Sequence, residues 1–74
     1  MNAINDLTKQ ERIVLTLVAQ GKRNAQIAQT LYLSVRTVES HVYRICQKLE
    51  LSSRTEAALY AVKSGLSSVE TGVQ

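Results

Sequence analysis

The sequence predicts an all-α domain of four short helices, and three features of the chain support this prediction. Apolar residues recur at three- and four-residue steps along most of the 74 residues, which is the spacing of one helical face. There is no proline, and two of the three glycines stand where an amphipathic segment stops. No segment alternates with the two-residue period of a β-strand, and there is no internal repeat. We therefore expect a single domain over residues 1–74, with a core from about 7 to 66 and a flexible tail over 67–74.

The first predicted helix spans about residues 9–20. Thr8 and Glu11 match a capping box, in which each side chain accepts a hydrogen bond from the other residue's amide. An apolar stripe follows, formed by Val14, Leu17 and Val18. Gly21 then offers the left-handed conformation that closes a helix.

The second and third predicted helices are separated by only three residues. We expect the second over about 25–31, with Asn24 as its cap. Its apolar face carries Ile27, Ala28 and Leu31. The third spans about 35–49 after a cap at Ser34. Its buried face repeats at helical spacing, through Val35, Val38, Val42, Ile45 and Leu49. So tight a link between amphipathic helices is typical of a helix-turn-helix unit, although many helical bundles contain one without touching DNA.

The other face of the third helix is polar, and it is the most informative surface of the chain. Its side chains offer hydroxyl, carboxylate, phenol and cationic groups: Arg36, Thr37, Glu39, Ser40, Tyr43, Arg44 and Lys48. A helix with a packed back and such a front can act as a recognition helix in a DNA major groove.

The fourth helix is predicted over about residues 54–64. Ser53 and Glu56 form a second capping-box pattern at its start. Small apolar residues supply its packing positions: Ala57, Ala58, Ala61 and Val62. Gly65 can end it, as Gly21 ends the first helix.

The positive charge of the chain is concentrated in its middle. The formal net charge is +3, and residues 22–54 carry six Lys and Arg against two acidic side chains. A polyanionic partner would fit this distribution, although a modest excess also occurs on solvated faces that bind nothing.

Several classes of protein are disfavoured by the composition. No apolar run is long enough to span a membrane, and no signal segment opens the chain. The single Cys46 cannot form an internal disulfide, which fits a reducing, cytoplasmic compartment. One histidine and one cysteine do not supply a metal-ligand set, so we expect no metal site and no cofactor. No nucleophile–base pair or phosphate-cradling glycine loop points to an enzyme.

The ordered set of residues along the chain resembles a known family. The pattern runs through Leu7-Thr8, Glu11, Val14-Leu15, Leu17, Ala19, Gly21, Asn24, Ile27-Ala28, Leu31, Ser34, Thr37-Val38, His41, Ile45, Lys48-Leu49, Arg54, Ala57, Ala61 and Gly65-Leu66. It is similar to the LuxR/NarL-type (LuxR C-terminal-like) DNA-binding domain over about residues 7–66, and its most specific part is Asn24-x-x-Ile27-Ala28 followed by Thr37-Val38-x-x-His41 and Lys48-Leu49.

The resemblance implies sequence-specific binding of double-stranded DNA by a bacterial transcription regulator. It implies that the third helix enters the major groove and that the fourth supports a homodimer on a two-fold symmetric site. The family usually carries this module as the effector domain of a response regulator, behind a receiver or ligand-sensing domain, and RNA polymerase is a further expected partner. Four positions depart from the family pattern: Gln10, Tyr32, Glu50 and Glu39. Of these, Glu39 bears on base preference.

The resemblance places base reading at Glu39, Ser40 and Tyr43. Glu39 can accept a hydrogen bond from a cytosine amino group, or it can pair with Arg36 or Tyr43 within the helix. We expect phosphate contacts from Lys22, Arg23, Asn24, Arg36, Thr37, Arg44 and Lys48. Simpler roles stay open: a solvated charge for Arg36, local capping for Thr37, and the helix cap alone for Asn24.

Three further positions carry expectations of their own. Arg54 is disfavoured at a helix N-terminus, so it needs a compensating partner, either Glu11, which we favour, or a DNA phosphate. His41 and Cys46 are expected to be packed at the edge of the buried stripe.

A dimer contact is expected on the fourth helix. It would use Leu59, Tyr60, Lys63 and Leu66. The alternative is that the apolar members complete the monomer core. A small helical adaptor that binds protein rather than DNA is the second functional hypothesis.

Overall fold

The computed structural model describes residues 6–66 and contains four helices within them. These are α1 (Lys9–Ala19), α2 (Asn24–Leu31), α3 (Val35–Lys48) and α4 (Arg54–Lys63). The four predicted helices are confirmed, with each end within one residue of its expected position, and no strand occurs in this range. The tail predicted over 67–74 lies outside the described residues.

Side-chain caps fix where three of the helices begin. Glu11 Oε1 accepts from the Thr8 amide at 2.9 Å, and the Glu11 amide donates to Thr8 Oγ1 at 3.1 Å, which confirms the first capping box. Ser34 caps α3 in the predicted way. The second capping box is only half formed. Ser53 Oγ accepts from the Glu56 amide, but the Glu56 carboxylate accepts instead from the amide and hydroxyl of Ser52.

The expected cap of α2 is wrong. Asn24 is the first residue of the helix rather than the residue before it, so its side chain is not placed to accept from the next amides. The capping position belongs to Arg23, whose amide donates to Gln26 Oε1 at 2.9 Å. The Asn24 carboxamide is therefore free for a contact elsewhere in the fold.

A left-handed residue stands within two positions after the last residue of each helix, and the amide that follows it donates to a carbonyl in the last turn. The left-handed residues are Gly21, Tyr32, Glu50 and Gly65. The closing bonds are 2.8–3.1 Å long, from Lys22 to Leu17, Leu33 to Ala28, Leu51 to Cys46 and Leu66 to Ala61. Leu33, Leu51 and Leu66 also pack against the core, which fixes the direction in which the chain leaves each helix. The two glycine ends were predicted, whereas the other two use side-chain-bearing residues.

All four helices contribute to a single core. Its buried residues are Leu7, Val14, Leu15, Val18, Ile27, Ala28, Val38, Ile45, Leu49, Ala57 and Ala61. Helix α1 contacts the other three helices, and α2 packs on α3. This arrangement supports the back of α3 and leaves its polar face uncovered.

Two valines expected in the core are exposed. Val62 is 52% exposed, because α4 buries Ala57 and Ala61 and the next residue is rotated about 100° away from that face. Val35 is 41% exposed, since it is the first residue of α3 and lies about 60° from Val38 around the helix. In α1, Leu15 is fully buried, whereas Leu17 of the predicted stripe is only half-buried.

None of the helices within residues 6–66 has the length and apolarity needed to cross a membrane.

Candidate nucleic-acid interface

The outer face of α3 forms a shallow groove of about 440 Å³. The residues that line it are Arg36, Glu39, Ser40, Tyr43, Arg44 and Gln47. The structure therefore brings together all three residues predicted to read bases and two of those predicted to contact phosphate. Gln47 was missed by the sequence reasoning. It lies four residues after Tyr43, so the same helical step that grouped the others also indicates it.

Tyr43 stands at the centre of this face and is 63% exposed. Its hydroxyl oxygen accepts a hydrogen bond from Gln47 Nε2 at 3.1 Å. Since the acceptor side of the phenol is occupied, its own proton remains available to an external acceptor. Gln47 thereby orients the ring without blocking it.

The Glu39 side chain is exposed and makes no hydrogen bond or ion pair with any residue between 6 and 66. The pairing with Arg36 or Tyr43 that the sequence left open is therefore not formed. An unpartnered carboxylate offers only acceptor oxygens at neutral pH. Glu39 is accordingly the acidic position on a face whose other side chains are cationic or neutral.

The first turn of α3 is organised by Ser34. Its Oγ accepts from the Thr37 amide at 3.1 Å and donates to Thr37 Oγ1 at 2.9 Å. Ser34 thus does the capping, and the Thr37 hydroxyl keeps its proton for an outside acceptor. Arg36 is exposed beside it and has no carboxylate partner in the described part of the chain.

A second cationic region lies where α1 meets α2. A hollow of about 370 Å³ there is lined by Val18, Gly21, Lys22, Arg23, Asn24 and Arg54. Arg54 Nη1 donates to Asn24 Oδ1, and Arg54 Nη2 donates to the Lys22 carbonyl at 2.7 Å. The favoured pairing of Arg54 with Glu11 is therefore wrong, because other groups satisfy both side chains.

The partner of Glu11 is Lys48, at 2.8 Å. The carboxylate is almost fully buried, at 2% exposed, and it also caps α1 through the Thr8 amide. Burial raises the pKa of Glu11, but Lys48 and the Thr8 amide and hydroxyl lower it by more, so the net pKa is below its ordinary value. The ammonium of Lys48 therefore ties the end of α3 to the start of α1. Its phosphate contact stays a prediction.

His41 and Cys46 are half-buried, as predicted. His41 Nδ1 is buried without a hydrogen-bond partner. Burial, and then the charge of Glu56, raise the pKa of the Cys46 thiol, whose proton points to the Ser53 carbonyl at 3.7 Å. No cluster of three or more His, Cys, Asp or Glu side chains suited to a metal occurs within residues 6–66.

The face of α4 predicted for dimer contact is partly free. Leu59 is 55% exposed and Lys63 is exposed, whereas Tyr60 and Leu66 are half-buried against the core. Leu59, Tyr60 and Lys63 share a hollow of about 230 Å³ with Leu51 and Glu56. The uncertainty about Leu59 is resolved for the monomer, because its side chain does not complete the core.

Comparison with known protein families identifies the family to which these helices belong. The model of the family described as bacterial regulatory proteins, luxR family, matches residues 5–61. The chain belongs to this family. Its four helices are those of the LuxR-type helix-turn-helix domain, in which α2 and α3 form the helix-turn-helix unit.

Several bacterial regulators are similar to this LuxR-family domain. The uncharacterized transcriptional regulatory protein YhcZ of Bacillus subtilis is 50% identical over 60 residues, which cover 81% of this chain and 28% of YhcZ. The oxygen regulatory protein NreC of Staphylococcus carnosus is 45% identical over 69 residues, covering 88% of this chain and 32% of NreC. The response regulator protein VraR of Staphylococcus aureus is 40% identical over 60 residues, covering 81% of this chain and 29% of VraR. The chain thus spans less than a third of the length of these relatives.

Proposed function

We propose that this LuxR-family domain binds double-stranded DNA in a sequence-specific way, as the effector domain of a transcription regulator. The observation that carries the proposal is the outer face of α3. It gathers donors and acceptors in one groove, while the opposite face of the same helix is packed into the core. A supported helix with such a front has the size and chemistry to enter a major groove.

Base preference comes from Glu39, Ser40 and Tyr43. The unpartnered Glu39 carboxylate accepts from a cytosine N4 amino group and is repelled by phosphates, so it selects for one register of the helix in the groove. Tyr43 donates its free phenol proton or packs on a thymine methyl group. The Ser40 hydroxyl both donates and accepts, so it adapts to either edge.

Contacts with the DNA phosphates come from two groups of residues, one on α3 and one at the start of α2. At α3, Arg36 and Arg44 present two cations that have no acidic partner among residues 6–66, and Thr37 presents a hydroxyl whose proton is not used by its bond from Ser34. At the start of α2, Lys22, Arg23 and Asn24 form the second group. Contacts of this kind set affinity and orientation but carry no sequence information. Lys48 adds least, because its ammonium is held by Glu11.

The domain acts as a dimer on DNA through the exposed side of α4. One short recognition helix reads few base pairs, so a single copy binds weakly. Two copies related by two-fold symmetry would bring two α3 helices into successive turns of the major groove, about 10 base pairs apart. Leu59 and Lys63 supply the exposed part of this contact, with Tyr60 and Leu66 at its edge.

The larger protein is the expected context of this module. Relatives such as VraR are named response regulators and are about three times longer than the matched region. We infer that a receiver or ligand-sensing domain controls the DNA-binding module in the cytoplasm, and that the bound dimer contacts RNA polymerase.

A salt-dependent titration separates this function from that of a protein-binding adaptor. Labelled duplex DNA is titrated with the wild-type domain between about 50 and 200 mM salt, and log affinity should fall linearly with log salt concentration. Arg44→Ala should make that slope shallower by about 0.9, the value for one lost phosphate contact. Arg12→Ala is the matched control, because it removes an exposed cation of α1 that has no predicted DNA role. If no saturable complex forms at low salt, the adaptor hypothesis replaces this one.

A further inference from the structure

We propose that Arg54 is a positioning residue, which shapes residues 21–24 for phosphate binding and connects them to α4. The inference rests on the proposed function, since it names how one group of phosphate contacts is held. Arg54 opens α4, the helix that carries the predicted dimer contact, and reaches across the fold to the start of α2.

The geometry is a two-pronged hydrogen-bonded fork. One guanidinium nitrogen donates to the Asn24 side chain and the other to the Lys22 carbonyl, 30 and 32 residues away in sequence. The planar guanidinium has five N–H donors in a fixed arrangement, so these two bonds set its orientation while leaving others unused.

Arg54 completes the restraint of the 21–24 segment. The Lys22 amide donates to the Leu17 carbonyl at 3.1 Å, and the Arg23 amide donates to Gln26 Oε1 at 2.9 Å. Those bonds come from α1 and α2 themselves. Arg54 adds the bonds from outside, to the Lys22 carbonyl and to the Asn24 side chain. The backbone of Lys22 and Arg23 and the side chain of Asn24 are therefore held in place before a ligand arrives, which lowers the ordering cost of binding.

The electrostatics favour an anion at this place. The guanidinium lies at the N-terminus of α4 and contacts the first residue of α2, so the positive ends of two helix dipoles oppose its charge. Within residues 6–66 it has no carboxylate partner, and the exposed Lys22 and Arg23 are its neighbours. A neutral hydrogen-bond donor at position 54 could hold α4 to the start of α2 at a lower electrostatic cost. A cation held here is instead compensated when a DNA phosphate approaches.

The competing interpretation is that Arg54 only fastens α4 to the rest of the domain. A fastening role affects the stability of the fold, but not the DNA affinity or its salt dependence in the folded protein. A positioning role changes both the DNA affinity and its salt dependence, and it acts through Asn24. Salt slopes and a double-mutant cycle with Asn24 therefore distinguish the two roles.

The test measures binding to a mixed-sequence duplex of about 20 base pairs by fluorescence anisotropy. It is carried out at temperatures where circular dichroism shows that every variant is folded. We expect Arg54→Ala and Asn24→Ala each to weaken binding about tenfold near 0.1 M salt and to make the salt slope shallower by about 1 to 2. The double variant should bind within about threefold of Asn24→Ala alone, because the two residues act through one contact. Arg54→Lys, which keeps the charge but loses the fork, should restore less than half of the lost slope, and Arg12→Ala should stay within about twofold of wild type.

Three outcomes separate the explanations. Wild-type affinity and slope in Arg54→Ala, together with a lower melting temperature, would overturn the positioning role while leaving DNA binding intact. Losses that multiply fully in the double variant would show that Arg54 acts independently of Asn24, and would overturn it as well. Absence of any complex with the wild-type domain would instead overturn the proposed function. If Arg54→Ala does not fold, the same comparison is made with Arg54→Gln, which is judged by the same two criteria.

Discussion

Replacing Tyr32 by glycine should stabilise the domain, although it removes an aromatic ring. Tyr32 ends α2 with φ 59° and ψ 43°, in the left-handed region, and its side chain is 93% exposed. That conformation costs a non-glycine residue about 1–2 kcal/mol, whereas glycine adopts it freely. Glycine also makes the unfolded chain more flexible, which costs about 0.4–1 kcal/mol. With almost no buried surface lost, the balance is a gain of about 0.5–1 kcal/mol in the free energy of unfolding.

Two other positions provide matched comparisons. Glu50 is also exposed and left-handed, at φ 57°, so Glu50→Gly should give a gain of the same size. Ser64 ends α4 with an ordinary φ of −85°, so Ser64→Gly should lose about 0.4–1 kcal/mol, because it has no strain to relieve.

Thermal and urea unfolding followed by circular dichroism measure all three variants. A gain of 0.5–1 kcal/mol corresponds to a rise of about 2–8 °C in melting temperature for a domain of this size. Equal urea m-values would show that the unfolded state has not changed in extent. A loss in Tyr32→Gly comparable to that in Ser64→Gly would refute the reasoning, since it would mean that the ring stabilises the folded monomer by more than the backbone strain costs.

Three further predictions concern the ion pair and the α4 face. The pKa of Glu11 is lowered in the folded domain, so the ionised carboxylate stabilises the fold relative to Glu11→Gln. This stabilisation should be complete above the ordinary pKa of 4.5 and should be lost as the pH falls through the lowered pKa. Urea unfolding of both proteins between neutral pH and about pH 2.5 measures it. Lys48→Met should lower the free energy of unfolding by about 2 kcal/mol in urea, because it leaves a buried carboxylate without its cation. Leu59→Glu should change stability by less than about 0.5 kcal/mol, yet sedimentation should show weaker pairing on DNA with two half-sites; unchanged pairing would exclude this face.

The parts of the fold that the sequence predicted are those governed by local rules. A capping box or a glycine end involves groups three to five residues apart, so Thr8, Glu11 and Gly21 could be interpreted from their neighbours alone. Long-range pairings could not. Arg54 and Lys48 each had several possible acidic or polar partners, and only the packing of α1 against α3 and α4 decides that Glu11 goes to Lys48. The wrong partner for Arg54 follows from that missing information.

The candidate site was predictable to a similar extent. Helical periodicity identified the outer face of α3, because solvent exposure follows directly from which side is apolar. The same periodicity also places Gln47 on this face, but its bond to Tyr43 could not be predicted from spacing alone. The bond from Arg54 to Asn24 could not be predicted from neighbouring residues either. The sequence predicted Asn24 as the cap before α2, whereas the helix begins at Asn24 itself, one residue earlier than expected.

Selection of bound sequences from a pool of random duplexes tests the central claim most directly. The wild-type domain should enrich a two-fold symmetric motif whose half-sites lie about 10 base pairs apart. Glu39→Gln and Tyr43→Ala should each change the preferred base at one position of each half-site and leave the other positions unaltered. No enriched motif, or a motif that is identical for wild type and both variants, would contradict the claim that the outer face of α3 reads DNA.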